Sequence, residues 1–382
     1  MNIDSSMPSD EPSRLVYRDY QPGDEKQIVA LMAPYWSHTI SCDEWIHEYI
    51  GSPDGPTISR VCEIDGRIVA HYALILMQMT VAGRNVLGGK GEGSIVDKEY
   101  RKTSPRLKHL LPPDRAIFTR LSREVWEAGI ARGVDIMWGF PNKMALGGHL
   151  KAGWDNWVWN RRMLIRPVCI MGTARFFTGI VPSRCQSMLA YLAAGPLWFF
   201  TRRLRSFRHK RGATVVLVDE FDERVEYLWQ RLAERHRFIS INRNCHHLNW
   251  RFAHEPYLKV IMVSKGRVVG YVIGLPEDNR GVHRLNIVDI VIDDDLFSEI
   301  GQLLGGLLEA TKTKIDLISI SSYYSGCDYG ERLNKEVRKY FFPASRLRPQ
   351  ATIIKVNPVS GDENIIKNPA NWFVSDLFRE LF

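Results

Sequence analysis

Two short stretches of this 382-residue chain, Gly66-Arg67-Ile68-Val69-Ala70 and Gly266-Arg267-Val268-Val269-Gly270, stand two hundred residues apart and constrain its fold more than any other feature. The first follows Asp65-Gly66 between apolar runs, a strong short-range hairpin signal, because both turn positions need a positive φ. Each predicted hairpin is preceded by a tryptophan and then a proline, Trp45 with Pro53 and Trp250 with Pro256. Five matched residues alone would be common hairpin chemistry, and their weight comes from the order of the elements around them.

In the first half, periodicity and turn residues predict a strand over 15–18 and then a helix carrying Ile28, Leu31 and Met32 inward. A hairpin over 61–64 and 68–77 follows, then strands over 79–86 and 93–97, a helix over 118–132, a strand over 136–140 and a short helix over 146–152. The second half predicts a strand over 215–218, a helix over 223–236, a hairpin over 260–264 and 268–275, a strand over 286–292, a helix over 296–311 and a strand over 317–321. The orders match, so the chain is expected to be an internal duplication of an α/β unit. Its expected parts are a frayed polar tail at 1–13, a first domain at 14–168, a linker at 169–213 and a second domain at 214–382.

Composition narrows the class. Hydrophobic content of 45% and charged content of 25% are ordinary for a globular protein. The net charge of +8 favours anionic partners such as a phosphorylated cofactor, a nucleotide-linked substrate or an acidic membrane surface. No zinc-finger, homeodomain or RNA-recognition pattern is present, so no nucleic-acid partner is expected. Six widely spaced cysteines, with no Cys-x-x-Cys pair, indicate a reducing, cytoplasmic setting. Cys245-His246-His247 has no partner pair at ligand spacing, so no metal is expected, and most of the eleven tryptophans read as core.

The linker is apolar over 188–200 and then basic at Arg202, Arg203, Arg205, Arg208, His209, Lys210 and Arg211. That apolar run is too short to span a bilayer as a helix. Two readings stay open: a helix packed between the halves with a solvated basic end, or an interfacial anchor giving peripheral membrane contact through 188–211.

The most informative segment is Val96-Asp97-Lys98-Glu99-Tyr100-Arg101, followed by Phe140-Pro141-Asn142 and by Gly153-Trp154. Together with Ala145, Gly148 and His149 at the spacing after Asn142, these residues resemble the acyl-CoA N-acyltransferase (GNAT) superfamily. The pattern Leu248-Asn249-Trp250-Arg251-Phe252 and the closing Asn371-Trp372-Phe373 are similar to a tandem subgroup of it. The resemblance covers nearly the whole chain except the linker. It implies an α/β chain of two tandem GNAT folds, each a mixed, mostly antiparallel sheet flanked by helices.

The resemblance also implies a function, N-acylation with acetyl-CoA or another acyl-CoA as co-substrate and a small-molecule primary amine as acceptor, with amino sugars or nucleotide-linked amino sugars in view. Backbone groups at Ile95 and Val96 would polarise the thioester, and Arg101, Arg115, Ala116, Ile117, Phe118 and Asn142 would hold the cofactor, whose pyrophosphate suits a helix N-terminus. Glu92 would draw the proton from the attacking amine, and His149 would return one to the thiolate. His71 and Tyr72 are alternative acceptor-site groups. The bland readings are a solvated strand end for Glu92 and a helix-face histidine at the domain interface for His149. This chain departs from the family pattern by inserting 102–113 and by placing Asp114 where a family glycine would sit. A carboxylate there opposes a pyrophosphate, with Arg115, Lys102, Arg106 and Lys108 as available counter-charges. Two rivals remain, a binding protein that kept the fold without the chemistry, and a FemAB-like transferase using aminoacyl-tRNA.

Overall fold

The computed structural model describes residues 15–35, 40–101, 116–178, 183–201, 204, 206–207, 212–253, 256–278, 281–324 and 326–378. Arg115, the inserted segment 102–113, Asp114 and the basic residues 202, 203, 205 and 208–211 lie outside the described residues.

The first half runs through β1 (Leu15–Asp19), α1 (Glu25–Met32), α2 (Cys42–Tyr49), β2 (Ile58–Ile64), β3 (Arg67–Val81), β4 (Arg84–Val96), α3 (Ile117–Ala131), β5 (Ile136–Gly139), α4 (Lys143–Lys151) and β6 (Asp155–Pro167). α5 (Ile170–Thr178) and α6 (Ser183–Thr201) follow. The second half comprises β7 (Thr214–Val218), α7 (Glu223–His236), β8 (Ile239–Ile241), α8 (Cys245–Arg251), β9 (Leu258–Ser264), β10 (Arg267–Asp278), β11 (His283–Ile292), α9 (Ile300–Glu309), β12 (Leu317–Tyr324), α10 (Asp328–Val337), β13 (Phe342–Pro343), β14 (Arg348–Val356) and α11 (Glu363–Ile366).

The duplication is visible in hydrogen-bond register. β2 and β3 turn at Asp65-Gly66, and β9 and β10 turn at Lys265-Gly266, with positive φ at all four positions (50° and 78°, then 48° and 77°). That is the two-residue turn whose twist matches that of its strands. Each hairpin then carries a bulge at the same place. Cys62 pairs with Ala70 while Glu63 pairs with Ile68, and Met262 pairs with Gly270 while Val263 pairs with Val268. The bulged residues Val69 and Val269 each offer a carbonyl to a backbone N–H beyond the next strand, Asp97 and Asp293, at 2.8 Å in both cases. Matched bulges repeat a local chain path, which matched composition alone would not do.

One expectation needs correction. Residues 79–86 do not form a separate strand. β3 continues to Val81, the chain turns at Ala82 and Gly83 (φ 50° and 88°), and β4 starts at Arg84, so a second hairpin stands where two short strands were expected. An alanine at a positive φ gives little turn signal in sequence.

The two halves share one sheet, in the order β1-β2-β3-β4-β5-β14-β6-β12-β11-β10-β9-β7. β14 belongs to the second half by sequence but lies between two strands of the first. It pairs antiparallel with β5 from Ile353↔Gly139 to Val356↔Ile136, and with β6 from Arg348↔Arg161 to Ile354↔Asp155. β6 in turn passes into the second half, pairing with β12 from Tyr324↔Asn160 to Leu317↔Pro167. β8 adds to the far end of β3, from Met79↔Ile241 to Val81↔Ile239. Apolar burial crosses the same seam. Trp372 of the second half is fully buried 5.5 Å from Trp157 and 5.6 Å from Trp159 of the first, and Phe378 lies 5.8 Å from Trp138 (ring centroids).

A chain ending at residue 168 would leave the edges of β5 and β6 without β14 and uncover Trp138 and Trp159, an open apolar edge that invites aggregation. It is expected to lack the near-ultraviolet circular dichroism of a packed core, and to regain it with residues 345–378 supplied in trans. A cooperatively melting, monomeric 1–168 fragment would contradict this dependence.

Candidate functional site

β4 and β5 run parallel and are hydrogen-bonded only over Gly88–Lys90 and Ile136–Trp138. β5 then ends at Gly139, while β4 continues to Val96 without that neighbour. A cavity of about 1020 Å³ occupies the space between them. Its wall on the β4 side is irregular because His71 pairs with Ile95 and Ala73 pairs with Glu92, so that Gly93 and Ser94 together oppose Tyr72. Gly93 takes φ +62°, and a Cβ on it would lie 2.7 Å from the Met32 methyl, so both conformation and space require glycine. His71 braces the bulge from the opposite face. Its Nδ1 lies 3.0 Å from the Gly93 carbonyl oxygen and its Nε2 3.0 Å from Ser59 Oγ. The face-sharing that strand alternation gives residues two apart does not extend from Glu92 to Ser94, because the bulge interrupts the alternation between them. It does hold backwards, from Glu92 to Lys90.

The cavity brings together Glu92, Ile95, Val96, Arg101, Ala116, Ile117, Phe118, Asn142 and His149. Arg115 lies outside the described residues. Glu92 is a buried carboxylate, not a solvated strand end, with Oε2 2.6 Å from Nζ of the equally buried Lys90. Removing one member of such a pair would leave an uncompensated charge in a poorly solvated place. Lys90 did not stand out in the sequence, although Lys-x-Glu on a strand places both side chains on one face. Beside them stands Tyr72, 2% exposed, with a hydroxyl that has no hydrogen-bond partner among the described residues. It fits only because residue 91 is glycine, where a Cβ would come within 2.2 Å of the hydroxyl. Burial first, and the Glu92 carboxylate second, push the phenol pKa well above its ordinary value. It is therefore a neutral donor aimed at a cavity, and an orphaned buried hydroxyl calls for a partner.

His149 lies on α4 within a cage of rings, 4.8 Å from Phe118, 5.3 Å from Tyr72 and 5.8 Å from Trp154 (centroids). Ser122 Oγ accepts from Trp154 Nε1 at 2.9 Å and stands 2.8 Å from His149 Nδ1. The serine proton is thus available to Nδ1, a network that assigns the ring proton to Nε2. Burial lowers the pKa of this imidazole to about 3. The ring is neutral near pH 7, so any proton it gives up there comes from a neutral Nε2–H rather than from imidazolium.

The opposite wall is built from helix starts. α3 begins after Ala116, which supplies no side-chain cap, and Ala116, Ile117 and Phe118 line the cavity, so among the described residues its first backbone N–H groups have no serine or aspartate acceptor. Asn142 caps α4, its Oδ1 accepting from the N–H groups of Met144 (3.0 Å) and Ala145 (2.9 Å). Gly148 lets α4 approach α3, since a Cβ there would lie 2.4 Å from the Phe118 ring. Arg101 folds back across the end of β4, donating to the Val96 carbonyl at 3.0 Å and to the Tyr35 hydroxyl at 2.6 Å. Gln350 and Ile353 of β14 complete the lining, so the second half contributes to this site.

The corresponding place in the second half is closed. Asp289 pairs with Ile273, as Glu92 pairs with Ala73, but it is sealed in the core. Arg243 donates to both of its oxygens, at 2.9 and 3.2 Å, and the Tyr271 hydroxyl donates at 2.6 Å. The cavity there measures about 30 Å³. Asp293, Asp294 and Asp295, ahead of α9, are met by Arg231 and Arg235 of α7, and Asp294 also by Arg332 of α10.

Two of the buried histidines, His71 and His149, give stability a pH signature. In the unfolded chain each titrates near an ordinary pKa of about 6.5, whereas burial holds His71 at about 4 and His149 at about 3 in the folded protein. The unfolded chain therefore binds more protons as pH falls through this window, so their contribution is complete above about 6.5 and is lost progressively toward 4. Urea unfolding between pH 7.5 and 4.5 should show this decline, shallower in His149→Phe. A wild-type stability that rises on acidification from pH 7 would contradict the assignment.

No family model matches the sequence, and no curated protein matches it. Solved structures match by fold. A GCN5-related N-acetyltransferase from Anabaena variabilis superimposes with a TM-score of 0.59 at 13% identity, over 91% of this chain and 74% of that one. A tandem GNAT protein from the clavulanic acid biosynthesis pathway gives 0.53 at 10% identity, over 90% of this chain and 99% of that one. Saccharomyces cerevisiae N-myristoyltransferase, solved with bound myristoyl-CoA, gives 0.51 at 13% identity, over 93% and 82% of the two chains. With its matched hairpins, its split between β4 and β5 and these structural neighbours, the chain has the tandem GNAT fold.

Proposed function

We propose that the chain is an N-acyltransferase that moves an acyl group, most simply acetyl, from acyl-CoA to the primary amine of a small molecule, with an amino sugar or nucleotide-linked amino sugar as the favoured acceptor. The wide spacing of its six cysteines supports a reducing, cytoplasmic setting. One observation carries the reading: one open cleft holds a buried carboxylate, a neutral phenol and a helix start, the last two without a side-chain partner among the described residues. The solved neighbours whose names include N-acetyltransferase or N-myristoyltransferase support it.

In this reading the first N–H groups of α3 face the pyrophosphate, the helix dipole favouring negative charge there. The backbone at Ile95 and Val96 lies along the thioester, and holding the two reactants together supplies most of the acceleration. The amine attacks the thioester carbonyl carbon and the carbon–sulfur bond breaks. Glu92 takes the amine proton, directly or through water, while Lys90 holds the carboxylate in place. The departing thiolate receives its proton from the Tyr72 hydroxyl or from Nε2–H of neutral His149. The Lys90–Glu92 pair also favours a second reading, a CoA-binding protein that performs no transfer, because a carboxylate engaged by an ammonium is a weaker acceptor.

Calorimetric titration with acetyl-CoA and with CoA tests the binding common to both readings, and an amine-acylation assay separates them. Binding is expected in the wild type and unchanged in Glu92→Gln, with amine acylation in the variant reduced by about 10²- to 10⁴-fold. Between Tyr72→Phe and His149→Phe, the proton donor is the residue whose loss lowers kcat and leaves KM for acyl-CoA unmoved. Failure of acetyl-CoA, CoA and longer acyl-CoAs to give either heat or a thermal shift would overturn the proposal.

A further inference from the structure

α6 presents its surface in reverse. Of its side chains from 188 onward, those turned inward are small or few: Ala190 and Leu197 are buried against Ala174 of α5, with Ala193 packed alongside. The large apolar ones face out. Met188, Tyr191, Leu192, Trp198 and Phe199 are between 48% and 70% exposed. Positions i, i+3, i+4, i+10 and i+11 fall on one helix face, so these side chains form a continuous stripe, with no charged residue from 188 to 201. An apolar stripe of this extent on a soluble surface marks a docking site.

Charge indicates what docks there. From Asn156 to Val218 the chain has no aspartate or glutamate and eleven lysines and arginines, more than the whole protein's net charge of +8, so the remainder of the molecule is net negative. A second copy of the chain would bring like charge against like. A nucleic acid would need cations within the contact face, and the stripe carries none. Among the described residues no helix is long and apolar enough to cross a membrane. An anionic bilayer satisfies both features at once. Its headgroup region accommodates aliphatic side chains with a tyrosine and a tryptophan, and its surface charge attracts a polybasic segment.

We propose that α6 docks the protein on anionic lipid bilayers, its apolar face entering the boundary between headgroups and acyl chains and the surrounding acid-free segment neutralising the lipid charge. This is independent of the acyl-transfer reading, since no residue of the stripe lines the cleft between β4 and β5.

Co-sedimentation of the full chain with mixed phosphatidylcholine–phosphatidylglycerol vesicles tests it. The protein is expected to pellet with these vesicles, to bind phosphatidylcholine vesicles at least about tenfold less, and to be released by high salt. Leu192→Glu with Phe199→Glu should lower partitioning by about tenfold or more at an unchanged melting temperature. A separate variant, Arg202→Gln with Arg203→Gln and Arg205→Gln, should keep the stripe and lose the salt-sensitive part. The proposal is overturned if the wild type stays in the supernatant, if the well-folded glutamate variant binds as the wild type does, or if light scattering shows that the stripe instead holds two copies of the chain together.

Discussion

The antiparallel pairing of β14 with both β5 and β6 is the contact on which the rest of the molecule depends. It inserts nine residues from near the end of the described chain into the sheet of the first half, Arg348–Val356. β6 makes the reciprocal move into the second half. Neither half closes its sheet by itself, and the aromatic core around Trp138, Trp159 and Trp372 forms only when both are present. The same strand carries Gln350 and Ile353 into the cleft. Sheet continuity and site construction are therefore one event, which explains how a duplicated chain can specialise without its halves drifting apart.

Duplication produced two similar frames with opposite outcomes. Both have the same turn, the same bulge at Val69 or Val269 and the same bond to Asp97 or Asp293. They diverge where the next strand passes the bulged region. In the first half two residues, Gly93 and Ser94, oppose Tyr72, whereas in the second the register slips by one residue between Ile273 and Gly274. The first carboxylate faces a cavity with Lys90 as its partner, and the second is consumed by Arg243 and Tyr271 inside the core. The acidic group sealed by a bidentate arginine is shut away from the surface, whereas the one at the cleft wall borders the open cavity.

Legibility followed the range of the interactions involved. The hairpins at Asp65-Gly66 and Gly266, the helix now running from Ile117 to Ala131 and the assignment to one cleft of Glu92, Ile95, Val96, Arg101, Ala116, Ile117, Phe118, Asn142 and His149 rest on local spacing or on family pattern, and both survive in one dimension. The hairpin at Ala82 was missed because its turn depends on a strained alanine, which has no compositional signature. Lys90 was missed because nothing in sequence distinguishes a buried lysine from a solvated one until its strand is placed in the interior.

The sequence by itself determined the duplication, the α/β class and the two-residue turns and named part of the cleft lining, because each is set by neighbours a few positions away or by a repeated pattern. Tertiary structure alone decided that β14 crosses between the halves, since strand partners are chosen by edges brought together from distant parts of the chain. It also decided the chemical state of the site. The neutrality of His149, the orphaned Tyr72 hydroxyl above Gly91 and the Lys90–Glu92 pair all arise from the removal of water, a property of the packed interior that residue order does not carry.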